Sequence, residues 1–184
     1  FGTHQNYTNA YVGTTYQCGY YKANHSYYCH DYYYYIPESL KHVIITIDTI
    51  IPMAAFNNCA MLETITIPKT VESIGEYAFK NCSGLKRLNS ETDGEFNIPE
   101  SVTTIGNYTF YGCSQAVEFT MGDIETIGSY AFYNCSLVEY FNSETQYKIE
   151  VPNTVTSIGN YAFNGMVLIT EVIVPDSVES IGKG

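Results

Sequence analysis

The chain has no tryptophan, and its lysines and arginines number only 8 against 19 aspartates and glutamates, a formal charge of −11. Phosphate backbones are gripped by clustered lysine and arginine. The shortage of basic residues therefore argues against nucleic acid as a partner, and more strongly against an anionic membrane surface. No apolar run approaches the roughly 20 residues that cross a bilayer, so no membrane insertion is expected. Phe1 opens a polar, tyrosine-rich segment with neither a basic start nor an apolar stretch, and no signal peptide is read from it. Histidine is confined to His4, His25, His30 and His42. No serine, histidine and aspartate can then be matched by spacing into a nucleophilic set. The expectation is a protein that is no enzyme and needs no cofactor.

What the chain does have is a repeat, built around IPKTVESIGEYAFKNC, Ile67 to Cys82. The pairs Ala55-Phe56, Ala78-Phe79, Thr109-Phe110, Ala131-Phe132 and Ala162-Phe163 step by 23, 31, 22 and 31 residues. The pairs Ile74-Gly75, Ile105-Gly106, Ile127-Gly128, Ile158-Gly159 and Ile181-Gly182 step by 31, 22, 31 and 23. A period in the twenties marks a solenoid, in which one rung buries its apolar side only when its neighbours stack on it. Ile65 and Ile67 alternate with Thr64 and Thr66, the pattern of a strand with one buried face. Pro68, Pro99, Pro152 and Pro175 end such strands. Val71 to Ile74 reads as a second short strand running into Gly75, where a positive φ suits a turn. Tyr77 to Asn81 has room for a single helical or 3-10 turn. The expected fold is a mainly β repeat solenoid of short parallel strands stacked rung on rung with brief 3-10 or helical turns. About five to six rungs occupy residues 36–184.

Two rungs depart from the rule. Ile51-Pro52-Met53-Ala54 replaces the Ile-Gly corner, which predicts a rigid corner with negative φ. Near Met121 a rung is one residue short, with Gly122-Asp123 at its corner. The two 31-residue steps carry about eight extra residues from Asn89 and from Asn142, read as loops added to a rung of constant core. Asn89, Glu91, Asp93, Gly94 and Glu100 partly match a calcium loop. The loop from Asn142 has Gln146 and Tyr147 where an acid and a glycine should recur, and a solvated, strand-extending loop is the preferred reading.

Cys59, Cys82, Cys113 and Cys135 share one register in which Met166 also stands, as buried free thiols would. Residues 1–35 hold eleven of the 19 tyrosines and are read as an insertion or cap packed on the solenoid. Their alternative role is a recognition surface. Cys18 and Cys29 are a candidate disulfide. With His25, His30 and Asp31 they match no standard zinc spacing. Sequons mark Asn6, Asn24 and Asn107 as candidate glycosylation sites. Those at Asn81 and Asn134 enclose a core cysteine.

SVTTIGNYTFYGCS, Ser101 to Ser114, and TVTSIGNYAF, Thr154 to Phe163, resemble the BspA-like leucine-rich repeat surface proteins, and the resemblance extends over residues 36 to 184. It implies a leucine-rich-repeat solenoid, secreted or at the cell surface. Such a module serves adhesion by recognising host, matrix or other surface proteins or glycans. Outward strand positions form columns across the rungs that suit such contact. They are Thr64 and Thr66, Arg87 and Asn89, Glu118 and Thr120, Tyr140 and Asn142, Glu171 and Ile173. The alternative is a building block that self-associates head to tail into a fibre or surface layer, its C-terminal end at Gly184 left open. Either the chain is a piece of a longer protein or another subunit covers its ends.

Overall fold

The computed structural model describes residues 40–46 and 48–184, together with the backbone of two short strands, β1 (Gly19–Tyr21) and β2 (Ser26–Tyr28), which pair antiparallel. The rest of the tyrosine-rich start, with Cys18, Cys29, Asn6 and Asn24, lies outside the described residues.

From His42 onward the chain coils through about six turns and contributes to two parallel sheets. The smaller holds β4 (Ile50–Ile51), β6 (Ser73–Ile74), β9 (Thr104–Ile105), β11 (Thr126–Ile127), β14 (Ser157–Ile158) and β16 (Ser180–Ile181). The larger holds β3 (His42–Ile44), β5 (Thr64–Thr66), β7 (Arg87–Leu88), β8 (Glu95–Asn97), β10 (Glu118–Thr120), β12 (Tyr140–Phe141), β13 (Lys148–Glu150) and β15 (Glu171–Ile173). In the larger sheet Val43, Ile65, Leu88, Phe96, Phe119, Phe141 and Ile149 point inward and are buried. The polar residues beside them point out, as the pleat requires.

Between the sheets runs a column of parallel rings: Phe56, Phe79, Phe110, Phe132 and Phe163, with successive centroids 5.4–5.8 Å apart. A second aromatic row, Phe96, Phe119 and Phe141, meets the first edge to face. Both arrangements suit the ring quadrupole.

The extra residues are not loops outside a constant core. Asn89 to Gly94 make a tight return closed by Gly94 N–H donating to the Lys86 carbonyl at 2.7 Å, and the next residues become β8. Leu88 pairs directly with Phe96, and Tyr140–Phe141 with Lys148–Ile149. Each insertion adds one strand to the larger sheet and none to the smaller. Glu95-Phe96-Asn97 and Lys148-Ile149-Glu150 carry the same polar, apolar, polar alternation as Thr64-Ile65-Thr66 and Glu118-Phe119-Thr120. Phe96 and Ile149 accordingly enter the core.

The corner after each small-sheet strand is a chain of β-turns, and no helix forms among the described residues. Ala78, Lys80 and Cys82 donate three residues back within their own rung, to Gly75, Tyr77 and Phe79. The intervening amides of Tyr77, Phe79 and Asn81 donate to Asn107, Thr109 and Tyr111 of the next rung at 2.9, 2.9 and 2.7 Å. A helical turn would spend every amide locally and leave the next rung without donors, so β-turns prevail.

The positive φ falls on Tyr77, Tyr108, Tyr130 and Tyr161 at 54–59°, the third place of the first turn, and not on Gly75. A Cβ on Gly75 would lie 2.7 Å from Met53 N, so the glycine is required by the close approach of two backbones. The Pro52 corner, expected to hold negative φ, departs from that expectation: proline fixes its own φ, but two residues later Ala54 takes φ 55°, as the tyrosines do in the other corners. The short rung near Met121 closes by Ile124 N–H donating to Gly122, two residues back, where Val71 reaches three back to Pro68.

The four register cysteines are buried free thiols. Those of Cys82, Cys113 and Cys135 each donate to the phenylalanine carbonyl one rung back, Phe56, Phe79 and Phe110, at 3.0–3.2 Å. Burial pushes the Cys59 thiol up to about 12 and raises the other three as well. A thiol held protonated is a poor nucleophile. In the folded protein at pH 8, no more than two of the six thiols should therefore react with a disulfide reagent, whereas denaturant exposes the four core thiols. A third thiol reacting in the folded state would contradict the packing.

Candidate functional site

The larger sheet presents one continuous outer face. Its pairing sets His42, Thr64, Arg87, Glu95, Glu118, Tyr140, Lys148 and Glu171 in one row. Ile44, Thr66, Asn97, Thr120, Glu150 and Ile173 lie in a second. Thr64, Thr66, Arg87, Glu118, Thr120, Tyr140, Glu171 and Ile173 thus share a face as the columns predicted. Glu95, Asn97, Lys148 and Glu150, on the inserted strands, join them. Several of these side chains are already fixed. His42 Nδ1 lies 2.7 Å from Thr64 Oγ1, and Arg87 Nε lies 3.3 Å from Asp93 Oδ1. The hydrogen bond between Lys148 and Glu150, at 2.7 Å, holds the carboxyl below its usual range and the ammonium above its own. Such fixed groups lose little freedom on meeting a partner.

Asn89 and Asn142 serve the backbone. Both take positive φ. The Asn89 amide accepts from Ile67 N at 2.7 Å and donates to the Asn97 carbonyl at 3.0 Å. Asn142 accepts from and donates to the main chain of Met121, at 2.7 and 3.1 Å. They pin the inserted returns to the preceding coil. In the candidate calcium loop, Asn89 is so engaged and Asp93 faces Arg87; no group of three metal-ligating side chains occurs among the described residues. Asn107 donates to Glu76 Oε1 at 2.9 Å and accepts from Ser129 N at 2.7 Å, so its amide ties three rungs together. A glycan there would take one of the two amide hydrogens and leave the other for Glu76.

A second ribbon, of half-buried tyrosines, lies along the turn edge. Tyr77, Tyr108, Tyr130 and Tyr161 stack one above another with centroids 4.9, 4.7 and 5.1 Å apart. Beside them Tyr111 and Tyr133 stack at 4.9 Å. The four stacked residues are the ones at positive φ, where a bulky side chain costs about 1–2 kcal/mol and ring stacking returns about 0.5–1.5. Partial desolvation, then the nearby phenols of Tyr108 and Tyr161, raise the Tyr130 phenol above its ordinary range, so it stays neutral to higher pH than a free phenol. The sequence pattern contained this ribbon as a tyrosine two places after four of the five Ile-Gly glycines, Gly75, Gly106, Gly128 and Gly159.

Coiled parallel strands with an aromatic spine between two sheets define a leucine-rich repeat solenoid. Residues 92–145 and 138–184 match the model of the BspA type leucine rich repeat region, with six copies, and the chain belongs to that family. A leucine-rich repeat protein from Bacteroides ovatus superposes with a TM-score of 0.51 at 23% identity. The match covers 94% of this chain and 55% of that one, so the present chain spans little more than half of its length. The leucine rich repeat protein of T. pallidum gives a TM-score of 0.62 at 18% identity over 95% of this chain and 86% of that one. At such identities these likenesses establish the fold alone. No curated protein matches the sequence. No helix among the described residues is long and apolar enough to cross a membrane.

Proposed function

We propose that this chain is a non-catalytic recognition module, secreted or held at the cell surface, that binds partner proteins or glycans through the outer face of the eight-stranded sheet. The observation that carries the reading is the unbroken outer row from His42 to Glu171, laid across eight parallel strands on a rigid aromatic core. Membership of the BspA-type family supports a surface role in adhesion. Tyr140, between Glu118 and Lys148 in the row, is the large amphipathic side chain best suited to anchor a partner. Arg87 is also in the row but restrains the Asn89 return through Asp93, so its removal acts on the loop too.

The test is binding of the purified chain to a panel of extracellular-matrix proteins and glycans. Tyr140→Ala is expected to weaken capture by about tenfold with an unchanged melting temperature. Unaltered capture by both Tyr140→Ala and Arg87→Ala would remove this face from the function.

End-to-end assembly draws on a different feature. Val172, Ile173, Val174 and Ile181 of the last coil are exposed, an edge suited to another coil of the same kind. Electron microscopy of the purified chain is expected to show filaments under this second reading, and discrete short particles would contradict it.

A further inference from the structure

The tyrosine ribbon already holds one cation. Lys80 Nζ lies 5.2 Å from the ring centroid of Tyr111 and 5.3 Å from those of Tyr77 and Tyr108. An ammonium within about 6 Å of a ring is drawn to its negative face. Lys80 thus occupies the outer side of the first ring in the shorter column, bounded by a tyrosine of its own rung and two of the next. The repeat places Lys80, Tyr111, Tyr133 and Asn164 in one column.

At the other end the surroundings recur in reverse order. The outer side of Tyr133 is bounded by Tyr130, tilted against it at 5.5 Å, and by Tyr161, which stacks on Tyr130. Among the described residues no further ring stacks on Tyr133. The residue in the lysine's place is Asn164, which is exposed, short and uncharged. The two ends of the shorter column therefore differ in what faces them, an ammonium at Tyr111 and the short amide of Asn164 in the matching register beyond Tyr133.

We propose that the position bounded by Tyr130, Tyr133 and Tyr161 receives a lysine or arginine side chain from a partner protein. Arginine suits it better, because a planar guanidinium stacks on Tyr133 as one more step of the ladder. The formal charge of −11 favours the approach of a cationic segment. The stacked tyrosines, locked on a repeating backbone, lose little freedom when it arrives. This contact is independent of the sheet face and stands or falls without it.

The experiment titrates acetyl-arginine-amide into the full chain and follows tyrosine ring signals by NMR, with the uncharged acetyl-citrulline-amide as its twin. Arginine is expected to shift Tyr130, Tyr133 and Tyr161, and citrulline to bind at least about fivefold more weakly. Asn164→Lys fills the position from within and should weaken binding about tenfold while every tyrosine remains. Lys80→Asn opens the other end, adding shifts at Tyr77, Tyr108 and Tyr111. Tyr133→Phe keeps the ring and should bind within about twofold of the parent, which separates ring attraction from hydrogen bonding by the phenol. Equal shifts by citrulline, full binding by Asn164→Lys, or stronger movement of the same rings by cellotetraose would each overturn the proposal, the last in favour of a glycan.

Discussion

Phe119→Ala is expected to lower the unfolding free energy by about 4 kcal/mol and the melting temperature by roughly 10 °C. Phe119 stands where the two aromatic rows cross. Its ring lies 4.8 Å from Phe132, 5.2 Å from Phe96, 5.4 Å from Phe110 and 5.7 Å from Phe141. A truncation there removes contacts from four rings at once. The gap has little freedom to close, because β10 is hydrogen-bonded to β8 on one side and β12 on the other. Relaxation is what reduces the cost of a cavity, and the ladder resists it. Phe163, the last ring of the column and only partly buried, should cost well under half as much. Denaturant unfolding followed by circular dichroism checks both, and a loss below about 1 kcal/mol at Phe119 would contradict the packing.

Gly128→Ala reverses the usual sign of its exchange. Glycine to alanine ordinarily stabilises by about 0.4–1 kcal/mol, because the unfolded chain loses freedom. At Gly128 the added carbon would lie 2.5 Å from the carbonyl carbon of Gly106 and 2.6 Å from Asn107 N. Those backbone atoms are held in place: Gly128 N–H donates to Ile105 at 2.9 Å, and Tyr108 N–H donates to Ser129 at 2.9 Å. Neither coil can withdraw without breaking hydrogen bonds, and the expected cost is about 3 kcal/mol. Thermal unfolding decides the matter, and a variant melting at or above the parent would show that the coils can part. Gly112 is required for another reason. Its φ is 72°, and a Cβ there would meet Asn81 Oδ1 at 2.9 Å, a side chain that itself bonds Asn58.

The sequence made the coil and its phenylalanine column legible because five registers agreed. Phe79, Phe110 and Phe132 are fully buried and aligned, as that agreement requires. The inserted strands were hidden by length. An extra eight residues read as a loop, although Phe96 and Ile149 showed the strand alternation. The turn geometry is not legible in the sequence for a different reason. Glycine permits positive φ and also permits close approach, and sequence alone does not separate these uses. Gly75 serves closeness, while the positive φ passes to Tyr77, a residue type that gives no local sign of it. The outward columns were legible where the pleat alone decides them, as at Glu118 and Tyr140. At Asn89 and Asn142 they were not, since both leave the pleat and turn their side-chain oxygens to main-chain N–H groups of the preceding coil, Ile67 and Met121.

Eight strands on one side against six on the other leave the two sides unequal in reach. At about 4.8 Å between neighbouring strands, the longer row extends about 34 Å and the shorter about 24 Å. That inequality favours a bow with the larger sheet on the outside of the arc. A flat partner would touch only the crest near Glu95 and Glu118, whereas a cleft would embrace both inserted strands together.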